Sequence, residues 1–185
     1  MSSKLFVRGS NILGECGLGK KVANTGGKFI ENFNIPDGIK QIESNMGGNY
    51  LLSSDSKTVY YFGFKWDLRS YIRINNTYPK FPRLFELLKK IWHPLKCFPT
   101  NVCILGQFDK KIIQMEVGGS FGIVLDEDGD VFVIGENEKF QLGTILPNTS
   151  FTFSKLNLET KIVKLAAGFQ HTVLLGGKIK DKFNI

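Results

Sequence analysis

Residues 111–145 read "KIIQMEVGGSFGIVLDEDGDVFVIGENEKFQLGTI", and the fold turns on how this stretch is punctuated. Phe121, Ile123 and Leu125, then Val131 and Val133, fall at every second position on either side of Asp128 and Gly129. A period of two puts side chains on one face of a strand, and Asp-Gly between two such runs closes an antiparallel hairpin. Gly129 suits the turn because, lacking a Cβ, it accepts positive φ. A third strand is expected before Gly118 and Gly119, a pair that allows close backbone approach. After the hairpin comes a loop marked by Gly135, Asn137 and Gly143. An Asn in such a place can hydrogen-bond its own loop backbone.

The pattern recurs along the chain, and a repeat changes the reading of everything else. "GIKQIESNMGGNYLLSSDSKTVYYFG" (38–63) is a weaker copy, with Met46-Gly47-Gly48 set against Val117-Gly118-Gly119 and Lys57-Thr58 in place of Asp128-Gly129. On that alignment its hairpin is one residue shorter. "KLAAGFQHTVLL" (164–175) lines up with "QMEVGGSFGIVL", which sets Gly168 in a break and His171 opposite Phe121. At the other end, "KLFVRGSNILGECGLG" (4–19) matches "DVFVIGENEKFQLG" (130–143), so that Gly9, Asn11 and Gly17 correspond to Gly135, Asn137 and Gly143. The repeat units are expected at roughly 38–63, 106–147 and, in part, 161–185, within one domain of 1–185.

The repeat also disposes of a tempting motif. Gly14, Gly19 and Lys20 stand at the spacing of a phosphate-binding loop, but the same glycine cluster returns at 135–143 without a lysine. Lys21 occupies the position where such a loop needs Ser or Thr to hold magnesium. The stretch reads as a repeat loop, and no cofactor is expected.

The remaining chemistry is sparse. Cys16, Cys97 and Cys103 form no C-x-x-C pair, and His93 and His171 are far apart, so a zinc site has no support. A reducing, intracellular setting, cytoplasmic or nuclear, is the expectation. Two Asn-x-Ser/Thr tripeptides, at Asn75 and Asn148, carry little weight because such triplets are common by chance. No apolar run approaches membrane-spanning length. No Ser-His-Asp, Cys-His or paired-carboxylate arrangement is apparent, so the chain is not expected to be an enzyme. Asp126-Glu127-Asp128 is most simply a hairpin turn, though it could touch a basic partner.

Taken together, the order G-G-x-x-x-x-x-L-x-x-D-G-x-V-x-x-x-G-x-N-x-x-x-Q-L-G over 118–143 resembles the repeat of the regulator of chromosome condensation family. "AAGFQHTVLL" resembles the family segment in which a glycine is followed by a histidine and a Thr or Ser. The resemblance covers a little over half the chain. It implies an all-β protein, a β-propeller of four-stranded blades, with about three to three and a half blades of an incomplete ring. It also implies a structural role for His171. Such a chain would leave open edges, which implies either self-association to close the ring or a longer propeller of which this is a piece.

One segment departs from the repeat. About twenty extra residues lie between the first and second copies, expected as an insertion over 64–105. From Lys65 to Lys96 it holds eight basic residues (Lys65, Arg69, Arg73, Lys80, Arg83, Lys89, Lys90, Lys96) against Asp67 and Glu86. That is +6 of the chain's net +7. Six aromatics interleave, including both tryptophans, Trp66 and Trp92. Within it "PRLFELLKKIWHPL" reads as a short helix opening at Pro82, with Leu84, Leu87, Leu88 and Ile91 on one face and Pro94 at its end.

Arg69, Arg73, Lys80, Arg83, Lys89, Lys90 and Trp92 are therefore the candidate partner-binding residues. Basic side chains among aromatics can grip an acidic protein, track nucleic acid or a nucleosome, or lie on an anionic membrane. They can also be solvated lysines above a packed apolar face. The function expected is a protein–protein interaction scaffold. The alternatives are the exchange activity that the resemblance implies, guanine-nucleotide exchange on a Ran-like small GTPase with chromatin association, and a truncated copy with no function of its own.

Overall fold

A computed structural model describes residues 4–11, 15–18, 24–32, 36, 38–45, 48–63, 102–144 and 150–177. The expected helix opening at Pro82 and the seven candidate partner-binding residues lie outside them. The described residues form twelve strands and no helix. They run β1 (Leu5–Val7), β2 (Ile30–Asn32), β3 (Ile39–Ser44), β4 (Gly48–Ser53), β5 (Thr58–Gly63), β6 (Cys103–Gln107), β7 (Ile112–Val117), β8 (Phe121–Asp126), β9 (Val131–Gly135), β10 (Ser150–Lys155), β11 (Ile162–Ala167) and β12 (Thr172–Gly176).

These make two whole four-stranded antiparallel sheets, β3–β6 and β7–β10, flanked by two half-sheets, β1–β2 and β11–β12. The whole sheets are built alike. Ile39 pairs with Ser53 and Ser44 with Asn49, as Ile112 pairs with Asp126 and Val117 with Gly122. In both, the inner hairpin carries a register shift after its first pair. The half-sheets are the complementary parts of the same unit. β11–β12 repeats the inner pair, with Ile162 opposite Gly176 and Ala167 opposite Thr172, and β1–β2 stands where the outer pair would.

The sheet β7–β10 carries apolar residues on both faces, and both are covered. Tyr50, Leu52, Val59 and Tyr61 pack with Ile112, Met115, Val124 and Ile134 on one side. Phe121, Ile123, Leu125, Val131 and Val133 pack with Leu142, Leu156, Ile162 and Leu165 on the other. Every residue of β8 is consequently buried, at roughly 1.5–3 kcal/mol for each fully covered large aliphatic side chain. Stacked sheets that share cores in this way are the blades of a propeller.

The first copy sits differently from its expected alignment. Residues 39–53 correspond to 112–126, which places Asn45, not Gly47, opposite Gly118, and Gly48 opposite Phe121. The register is set by the turn, where the amides of Asn45 and Gly118 donate to the carbonyls of Gly48 and Phe121 at 3.0 and 2.9 Å. With the true register the first hairpin is one residue longer than the second, because Gly48 pairs with Gly63 and Phe121 with Gly135. Its turn is Ser54–Lys57, and Ser56 takes the positive φ (62°) that Gly129 (78°) supplies in the second copy.

Three strands were not expected from the pattern: β2, β6 and β10. β6 begins inside the stretch read as the insertion 64–105, and it completes the first whole sheet by pairing with β5. The boundary read at residue 106 therefore falls inside β6, since Gly106 pairs with Val59.

Candidate functional site: the turn face

Three tight turns lie at one end of the blades: Asn45–Gly48, Gly118–Phe121 and Gly168–His171. Each has a bond from the amide of its first residue to the carbonyl of its fourth, at 2.9–3.0 Å, and in the first turn the Gly48 amide also donates to Asn45 Oδ1. In the second and third, the first residue must be glycine for a packing reason. A Cβ on Gly118 would stand inside the Phe121 ring, and one on Gly168 inside the His171 imidazole. His171 thus serves its blade by folding over Gly168 while its carbonyl, not its ring, makes the closing hydrogen bond.

The turns are joined to one another across the blades. Asn45 Nδ2 donates to the carbonyl of Gly118 at 3.0 Å, and the amide of Gly119 donates to the carbonyl of Phe169 at 2.9 Å. Just below, Gln41 Nε2 donates to the Met115 carbonyl. Its equivalent Gln114 donates to the Leu165 carbonyl at 2.6 Å and accepts from the Leu165 amide at 3.0 Å. Lys164 holds the corresponding place in β11. The glutamines were not singled out in the sequence, because setting Gly47 against Gly118 puts Gln41 opposite Ile112, and their equivalence emerges only in the true register.

Two longer loops share this end. One follows Gly135, which pairs with Phe121 at the start of β8. The other follows Gly9, and its Glu15 carbonyl accepts from Asn49 Nδ2, near the start of β4, at 2.6 Å. Asn137 is fully buried, and its Oδ1 accepts from the Leu142 amide at 2.8 Å. Asn11, nearly as buried, accepts from the Cys16 amide at 2.9 Å. Each spans five residues and holds its loop in one shape. Gly9, Gly17, Gly135 and Gly143 in these loops, and Gly129 in the hairpin turn, all have positive φ, from 63° to 128°. Thr172 Oγ1 then ties the 136–144 loop to β12 through the Gln141 carbonyl. From this braced rim Phe140 and Phe169 project, each 56% exposed.

The basic segment leaves the described residues at this same end. The chain departs after Gly63, the counterpart of Gly135, and returns at Val102 just before β6. Thirty-nine residues thus separate β5 from β6, where fourteen separate β9 from β10. The candidate residues Arg69, Arg73, Lys80, Arg83, Lys89, Lys90 and Trp92 all fall in that interval.

The opposite end of the blades is electrostatically closed on itself. Asp126 Oδ1 accepts from the amides of Asp128 and Asp130 at 3.0 and 2.8 Å, so the acidic cluster is a turn. Asp130 pairs with Lys155 and Lys161, both at 2.7 Å, and Lys110 with Asp128 at 3.0 Å. The hydrogen bonds from Lys155 and Lys161 hold the Asp130 carboxyl below the usual aspartate range. Among the described residues no group of three or more His, Cys, Asp or Glu side chains converges on a metal-sized site. No helix among them is long and apolar enough to cross a membrane.

Comparison with known proteins agrees with this architecture. Residues 128–175 match the family model of the Regulator of chromosome condensation (RCC1) repeat. That stretch runs from the outer strands of one blade into the inner strands of the next, so a sequence repeat straddles two blades. Human WBSCR16 superposes with a TM-score of 0.65 at 14% identity, over 95% of this chain and 40% of that one. Prp20p from Saccharomyces cerevisiae, studied with its binding to Gsp1p and histones, gives 0.66 at 16%, over 97% and 41%. Yeast RCC1 (Prp20) in complex with Kap60 gives 0.64 at 16%, over 94% and 37%. The chain therefore spans about two fifths of the length of these propellers. No curated protein matches it in sequence.

Proposed function

From a chain that carries the RCC1 repeat and folds as part of an RCC1-type propeller, we propose an intracellular interaction scaffold that holds an acidic protein partner on its turn face. One observation carries the reading. The rim of turns is braced from blade to blade, and the +6 segment of 65–96 departs from that rim. A fixed platform continuous in sequence with a cationic, aromatic-rich segment suits partner capture, since paired charges steer association and aromatic and Arg anchors hold it. The account requires no reacting group on the chain.

The second reading is regulation of a Ran-like small GTPase with chromatin association. It is favoured by the binding of Prp20p to Gsp1p and histones. The chain spans less than half of Prp20p, so that activity stays with the larger protein until tested here.

Charge reversal to Glu at Lys80, Arg83, Lys89 and Lys90 separates the possibilities. On the scaffold reading it abolishes retention of an acidic partner while leaving the fold intact. Nucleic acid as the true ligand would instead give an affinity that falls steeply with salt and tracks the number of phosphates contacted. Binding of every ligand class unaffected by the reversal would overturn the role of the segment.

A further inference from the structure

The seam between the blade β7–β10 and the half-blade β11–β12 carries two exposed rings, and we propose that Phe140 and Phe169 dock a peptide segment of a partner in which an apolar side chain is flanked by Lys or Arg. Phe140 has a φ of 58°, a conformation that crowds a Cβ against the backbone and is out of the ordinary for a bulky residue. In the sequence of the first copy this place is Gly14, since Gly9, Asn11 and Gly17 correspond to Gly135, Asn137 and Gly143. Yet the Phe140 ring is 56% exposed, so core packing does not offset the strain.

The loop over-determines this conformation. The Phe140 amide donates to the Asn137 carbonyl, and the Phe140 carbonyl accepts from the Gly143 amide, both at 3.0 Å. The Lys139 amide donates to Oε1 of the buried Gln141 at 2.9 Å. A strained residue held this firmly, with its side chain left exposed, points to function rather than folding.

Phe169 stands across the seam. Its ring lies against Gly119, where a Cβ would come within 2.6 Å of it, and it too is 56% exposed. Thr172 Oγ1 donates to the Gln141 carbonyl at 2.7 Å, which fixes the two ring-bearing segments to each other. The elements on both sides of this seam are among the described residues, so the rings are placed by this stretch of chain itself.

Charge selects the partner. The Phe140 loop holds Glu136 and Glu138 against Lys139 alone, and on the β7 wall of the seam Glu116 accepts from Gln114. Carboxylates around two apolar rings complement a cationic segment with an apolar anchor, and an Arg can also lie on a phenyl face. This contact is separate from the acidic partner assigned to 65–96 and does not rest on it.

The test is fluorescence anisotropy of short labelled peptides with the 185-residue chain. A peptide of Lys and Arg around a Leu-Phe pair should bind. The same peptide with Ala for Leu and Phe, or with Glu for every Lys and Arg, should bind about tenfold more weakly or worse. Phe140→Gly should weaken the first peptide by about tenfold with no fall in melting temperature, because glycine accepts the positive φ. Phe169→Ala should weaken it likewise. Charge reversal at Lys80, Arg83, Lys89 and Lys90 should leave it bound, which separates this contact from the one proposed for the basic segment. Equal binding of the three peptides, preference for the acidic one, or no binding would overturn the proposal. Wild-type affinity in either Phe variant, or loss of binding on charge reversal, would overturn it equally. A lowered melting temperature in Phe140→Gly would make the ring a packing element and sink the idea.

Discussion

The amide of Gly118 donates to the carbonyl of Phe121 at 2.9 Å, and the Phe121 ring occupies the space that a side chain on Gly118 would need. This one relationship joins backbone to core. The turn can close only if the ring folds back, and the ring belongs to the core shared with the next blade. Gly118→Ala must therefore displace Phe121 or open the turn, and overpacking of this kind costs about 1–3 kcal/mol or more. Urea unfolding of the variant should show a lowered midpoint with an unchanged slope.

Asn137 makes a different prediction. Its side chain is fully buried and braces the 136–144 loop through the Leu142 amide and the Thr144 hydroxyl. Asn137→Ala removes the acceptor of the buried Leu142 amide, at about 1–3 kcal/mol. Hydrogen exchange should accelerate at the Leu142 amide well before it does in β8.

Gln114 tests the coupling between blades. It holds both the carbonyl and the amide of Leu165, so Gln114→Ala should loosen β11–β12 while sparing β3–β6. Two lost hydrogen bonds amount to roughly 1–3 kcal/mol. Proteolysis should cut first in 157–161, between β10 and β11.

The Asp130 cluster sets a pH dependence. Its carboxyl, ion-paired with Lys155 and Lys161, has its pKa lowered by the fold. A depressed folded pKa adds stability above the ordinary aspartate range and loses it as pH falls through the folded value. The lysines are half exposed, so the gain is screened to about 1 kcal/mol or less. Asp130→Asn should lower the melting temperature slightly at pH 7 and leave it unchanged near pH 2.

Much of this was legible in the sequence, and the exceptions have physical causes. The second copy announced itself because Asp128-Gly129 and the alternating apolar residues encode a hairpin without help from distant contacts. The first copy was read two residues out of register. There Asn45 does the work of a glycine, its Oδ1 accepting from the Gly48 amide, and the neighbouring Gly47 and Gly48 imitate the pair at Gly118 and Gly119. The outer strands β2, β6 and β10 are specified by their partners more than by their own pattern. Gly106, for example, is required by the Phe153 ring beside it, from the next blade. The turn face was visible only as scattered Gly and Asn, since the bonds that join Asn45 to Gly118 and Gln114 to Leu165 span 73 and 51 residues.

The most direct measurement is the release of fluorescent GDP from a Ran-type GTPase with this chain present in substoichiometric amount. A scaffold that holds partners on a braced turn face leaves the release rate unchanged. Acceleration with turnover, each molecule of the chain emptying many of the GTPase, would contradict the account and make the chain an exchange factor.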